Sequence, residues 1–61
     1  MTSNEIIRKL VEAGFRKVHQ KGSHQKYKHP DGRVTVVPVP RKDVPIGTIQ
    51  AIEEQSGVKL L

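Results

Sequence analysis

The chain has no cysteine and no tryptophan, and one tyrosine and one phenylalanine complete its aromatic content. Without thiols no disulfide can staple it, and Cys-based zinc ribbons and fingers have no ligands here. That matters in a chain of 61 residues, because a domain this small buries only about 60% of the surface its unfolded state exposes. It can hold one domain, and its stability has to come from a small apolar core. Long apolar runs are missing too. None approaches the ~18 residues that span a bilayer, and the opening MTSNEIIRKL lacks the apolar centre of a signal peptide. The expectation is a soluble, cytoplasmic mini-domain, thiol-free as a reducing compartment allows.

Acidic residues are scarce where the chain is most basic. Between Phe15 and Lys42 lie Arg16, Lys17, Lys21, Lys26, Lys28, Arg33, Arg41 and Lys42, opposed only by Asp31. The formal net charge is +5, so the two flanks are net acidic and the excess sits in the middle. A clustered basic segment is the electrostatic footprint of a polyanion binder, nucleic acid first.

The pattern of elements is readable. Thr2-Ser3-Asn4-Glu5 has the form of a capping box, Ile6, Ile7, Leu10 and Val11 follow at helical spacing, and Gly14 can end the helix. A first helix over about Ser3 to Ala13 is expected. Then the period changes. Phe15–Gln20, His24–His29 and Arg33–Val39 read as strands, joined by turns at Lys21-Gly22 and Pro30-Asp31-Gly32. Pro38 and Pro40 cannot donate to a ladder, so the third strand ends there or lies at an edge. Asp43 or a neighbour should cap a second helix, with Pro45 in its first turn, Ile46, Ile49 and Ile52 inward, and Gly57 as the stop. Val58, Leu60 and Leu61 form an apolar tail. The fold class is α+β in the order α-β-β-β-α. Two helices cover one face of a three-stranded antiparallel sheet, and the other face stays open. One domain spans residues 1–61.

The segment GSHQKYKHP, residues 22–30, plants imidazoles among lysines. His19, His24 and His29 are spaced five apart, and His24 and His29 point opposite ways on a continuous strand. With no cysteine and with cations all around, that spacing argues against a metal site. Ser23 and His24 are neighbours, so they face apart on a strand and do not make a nucleophile–base pair. RNA cleavage asks for less, since the ribose 2′-hydroxyl is itself the nucleophile. An imidazole can take its proton, and cations can balance charge building on the phosphate. On this reading His24 is the base, Lys26 and Lys28 hold phosphate, and Tyr27 stacks on a nucleobase. Each residue also has a plainer reading: Tyr27 as a packing residue, Gly22 as a turn residue, the lysines as solvated strand positions.

Taken in order, Gly14-Phe15 after a first helix, KGSHQKYKHPDGR, VTVVPVP and GTIQAIEEQSG resemble the HicA toxin family of toxin–antitoxin systems, over about Ser3 to Gly57. The resemblance implies a fold like that of double-stranded-RNA-binding domains and a metal-independent endoribonuclease acting on mRNA. It needs no cofactor, its catalytic histidine corresponds to His24, and a HicB-like antitoxin covers the active face. Lys21, Ser23, Lys26, Tyr27, Lys28 and Arg41 are then the candidate RNA and phosphate contacts. One departure stands out. Many members carry a histidine shortly after the strand's V-P, where this chain reads Pro38-Val39-Pro40. That role is either vacant or falls to Lys26, His29 or Arg41.

Two other function classes fit the same basic segment. A non-catalytic RNA-binding module would bind with steep salt dependence and cleave nothing. A small adaptor would dock an acidic protein partner and show no RNA affinity beyond ordinary charge effects.

Overall fold

The computed structural model describes residues 1–61. Its elements run α1 (Ser3–Glu12), β1 (Arg16–Lys21), β2 (His24–Lys28), β3 (Val34–Pro38) and α2 (Ile46–Ser56). The order α-β-β-β-α is the expected one, and the sheet is antiparallel with spatial order β1-β2-β3. No helix is long and apolar enough to cross a membrane.

The capping box forms as the sequence implies. Thr2 Oγ1 accepts from the Glu5 amide at 3.1 Å, and Glu5 Oε1 accepts from the Thr2 amide at 2.8 Å. Two backbone donors that helix geometry orphans are thereby satisfied. Ile6 and Leu10 are fully buried, whereas Val11, at the border of the same stripe, is exposed. Gly14 ends the run at φ +102°, a region that L side chains avoid.

The second helix begins differently from expectation. Its N-cap is Pro45, with no side-chain bond to the first turn, so Asp43 does not cap it. The preceding loop is anchored instead by Val44, which is buried and donates its amide to the Met1 carbonyl at 2.9 Å. Ile49 and Ile52 turn inward, but Ile46, the first residue of the helix, is exposed. At the other end Gly57 adopts the left-handed cap at φ +72°. Arg33 Nη1 donates to the carbonyl of Ser56, placing a cation at the negative end of the helix. Leu60 folds back into the core, and its amide and that of Leu61 donate to Glu53 Oε2 at 2.7 and 3.0 Å.

One core joins these pieces: Ile6, Leu10, Phe15, Tyr27, Val37, Val44, Ile49, Ile52 and Leu60. Tyr27, Thr35 and Val37 are the buried residues of the sheet's inner face. Thr35 Oγ1 donates to Gln55 Oε1 at 2.8 Å, so the hydroxyl under α2 is paired. Alternation then sends the intervening residues of each strand to the face that no helix covers.

Candidate functional site

The uncovered face is assembled by register. In the β1–β2 ladder Lys21 pairs with His24, His19 with Lys26, and Arg16 with Lys28. In the β2–β3 ladder His24 pairs with Pro38, Lys26 with Val36, and Lys28 with Val34. Directly opposed residues in an antiparallel pair share a face. Because Tyr27 is buried inward, His24, Lys26 and Lys28 must point outward, and all three are exposed. The face is therefore three rows: Arg16, His19 and Lys21 on β1; Lys28, Lys26 and His24 on β2; Val34, Val36 and Pro38 on β3. It carries four fixed cations, two imidazoles and no carboxylate.

Two local features fix this arrangement. The β1–β2 turn is Gly22-Ser23, one residue later than the Lys21-Gly22 expected from sequence. Gly22 has φ +57° at the first turn position, as a two-residue type II′ hairpin turn requires. Ser23 is exposed beside His24, and its carbonyl accepts the Val39 amide at 2.7 Å, tying the turn to the end of β3. Farther along β1 the register slips at Val18, between Lys17 and His19. The extra residue returns His19 to the outer face, in line with Lys21.

Most of the residues singled out in the sequence lie together. Lys21, Ser23, His24, Lys26 and Lys28 are all exposed on this face or at its turn. Tyr27 is not among them. It is 4% exposed and belongs to the core, and its hydroxyl donates to Gln25 Oε1 at 2.8 Å. Burial raises its phenol pKa, so the hydroxyl stays protonated as a donor. Its ring offers no platform for a nucleobase on the open face, and the stacking role expected of it is withdrawn. Strand alternation forces the outcome, because His24 and Lys26 cannot face out unless Tyr27 faces in.

Arg41 stands apart. It follows Pro38 by three residues, and its backbone bonds to Ser3: its carbonyl accepts the Ser3 amide at 2.9 Å, and its amide donates to Ser3 Oγ at 3.1 Å. It borders a hollow of about 340 Å³ with Thr2, Ser3, Asn4, Pro40 and Lys42, at the start of α1. His29 is also off the face. Its ring meets Phe15 edge-on, with centroids 5.2 Å apart. Its Nδ1 lies 3.0 Å from Asp31 Oδ1 and 3.1 Å from the Asp31 amide nitrogen. It can donate to the first when protonated or accept from the second when neutral, and a turn role accounts for it either way.

Two charged or titratable residues of the face were not singled out as site residues from sequence, Arg16 and His19. Strand pairing is what reveals them. Arg16 and Lys28 flank Val18, His29 and Pro30 around a hollow of about 190 Å³ at the end of the sheet remote from His24.

A family described as the HicA toxin of bacterial toxin–antitoxin systems matches residues 3–58. A chain from a solved structure titled "HicA3 and HicB3 toxin-antitoxin complex" is 32% identical, with all of both chains covered and a TM-score of 0.77. No curated protein sequence matches. The sequence match over nearly the whole length and the shared fold agree, and the chain belongs to the HicA toxin family.

Proposed function

We propose that this protein is the toxin of a toxin–antitoxin pair and that its open sheet face binds and cleaves RNA, with His24 as the general base. One observation carries the reading: His24 stands exposed on a face whose charged neighbours are all cations, Lys21 across the ladder and Lys26 two residues along. A neutral imidazole there meets no carboxylate that would hold it in an ion pair. It is free to take the proton of a ribose 2′-hydroxyl while the ammonium groups hold the phosphate.

The attack forms a bond from the 2′-oxygen to phosphorus and breaks the bond from phosphorus to the 5′-oxygen. The products are a 2′,3′-cyclic phosphate and a free 5′-hydroxyl. Charge builds on the non-bridging phosphate oxygens in the transition state, and Lys26 and Lys28 lie on the strand that carries the base. A similar protein is found in complex with HicB3, which supports a HicB-like antitoxin as the partner of this one.

The test is cleavage of an mRNA by the purified chain in excess chelator, with 2′,3′-cyclic phosphate ends identified on the products. His24→Ala, folded by circular dichroism, should lose activity by about 10²-fold or more. Undiminished cleavage by that variant would remove His24 from the mechanism. Salt-sensitive binding with no cleavage at any pH would leave a non-catalytic RNA-binding module.

A further inference from the structure

His24 is not the only imidazole on the open face, because the β1–β2 register brings His19 there as well. Lys21, His24, Lys26 and His19 form a four-cornered patch, with Lys21 opposite His24 and His19 opposite Lys26. The two imidazoles occupy one diagonal and the two ammonium groups the other. Diagonal neighbours in an antiparallel ladder are about 7–8 Å apart. That spacing is between backbones and within reach of long side chains, so both imidazoles can approach one phosphate seated over the patch.

In-line displacement at phosphorus places the incoming and departing oxygens on opposite sides. A base and an acid must therefore flank the phosphate, and two imidazoles on one diagonal of the patch are placed to do so. We infer that His19 is the general acid of RNA cleavage, giving its proton to the departing 5′-oxygen while His24 takes the proton of the 2′-hydroxyl. This assignment rests on the proposed nuclease reading.

The balance is complete. His24 gains one proton and His19 loses one, and exchange with water restores both. The charged and titratable groups around His19 in the ladder are Lys26 across, His24 and Lys28 on the diagonals, and Arg16 and Lys21 along its own strand. No helix covers this face, and β1 is an edge strand with no neighbour beyond it. The other candidates fit less well. His29 packs against Phe15 at the far end of β2, and Arg41 is bonded to the start of α1. A lysine facing substrate phosphate is better suited to hold it than to release a proton.

The deciding experiment uses RNA carrying sulfur in place of the bridging 5′-oxygen at one cleavable linkage. A thiolate leaves without protonation, so it removes the need for an acid and leaves the need for a base. His19→Gln should cleave ordinary RNA about 10²-fold more slowly than the parent and recover most of that loss on the sulfur substrate. His24→Gln should be slow on both. With ordinary RNA the parent should show a bell-shaped pH profile, and its alkaline limb should vanish in His19→Gln. The parent acting on the sulfur substrate should lose the same limb, a measurement that needs no variant to fold.

If His19→Gln matches the parent, or stays equally slow on both substrates, His19 is not the acid, although His24 can still be the base. Rescue of His24→Gln instead would reverse the two roles and overturn the assignment. If the parent cleaves no RNA at all, the nuclease reading fails first and takes this inference with it.

Discussion

Arg33 lies over the ring of Phe15, its Cζ 5.2 Å from the ring centroid, and the same guanidinium reaches the Ser56 carbonyl at the end of α2. It also grips Asp31, with Nε 2.8 Å from Oδ2. One side chain thus links the entry to β1, the β2–β3 turn and the second helix, all on the side of the sheet away from His24. Arg33→Ala should cost about 1–3 kcal/mol, the usual worth of hydrogen bonds to a charged group. Arg33→Lys should recover little, since a point charge cannot keep the planar stacking and forked bonding together. Urea unfolding of both variants checks the ranking, and RNA affinity should be unchanged in each.

Tyr27→Phe removes the bond to Gln25 and nothing else of substance. About 1 kcal/mol of stability should be lost, with RNA binding equal to the parent's. An aromatic that stacked on a nucleobase through its ring would also tolerate Phe, so Tyr27→Leu completes the test. A folded Leu variant with parental RNA affinity is expected from a core tyrosine.

Three carboxylates have pKa values lowered in the fold, chiefly by backbone amides. Glu5 accepts from the Thr2 amide in the capping box, Asp31 from the Arg33 amide, and Glu53 from the amides of Leu61 and Leu60. A group whose folded pKa lies below its unfolded value contributes stability above the unfolded value and loses it as pH falls through the folded one. The melting temperature should therefore hold near neutrality and drop once pH passes below the ordinary values of 4.5 for Glu and 3.8 for Asp. Glu53→Gln should flatten part of that drop when melting is followed from pH 7 to pH 2.

Gly14→Ala should be destabilising on two grounds. Its φ of +102° disfavours any Cβ, and the added atom would sit 2.9 Å from His29 Nε2. Strained positions of this kind cost on the order of 1–3 kcal/mol. Gly22→Ala, where nothing lies within 4 Å of the added atom, should show only the backbone part of such a cost. Comparing denaturation midpoints of the two variants separates strain from collision.

RNA affinity should fall linearly on a log scale with salt, and each phosphate contact on a single strand adds about 0.7 to the slope. Lys26→Ala should lower the slope by about that amount. Lys9→Ala, on the helix side of the molecule, should leave it unchanged. Binding isotherms over a salt series report both.

Much of the fold was legible because local rules agreed with the tertiary result. Thr2 and Glu5 announce the first helix, Gly57 ends the second, and the valines of β3 alternate around Thr35. The misreadings have physical causes. Asp43 looks like a cap by residue type, but the chain enters α2 through Pro45, and buried Val44 sets that path. The β1–β2 turn falls at Gly22-Ser23, one residue beyond the expected place, and in a two-residue hairpin such a step changes every cross-strand partner. The slip at Val18 then carries His19 outward, and no periodicity in RKVHQK signals it. His24 drew notice because its neighbours are chemically loud, and strand alternation leaves it exposed on the open face. Tyr27, a plausible stacking ring by type, was settled by which way its strand faced.

The face that gathers Arg16, Lys21, Lys26 and Lys28 without one opposing carboxylate also works against its own scaffold. Those charges repel one another in a domain whose reserve of stability is thin at this length. Any polyanion or acidic surface seated there relieves the strain, and by mass action the bound chain melts higher and opens less often than the free one. Letting go of such a companion would therefore do two things in a single step: bare the lysines and imidazoles, and shorten the time the naked chain survives proteases.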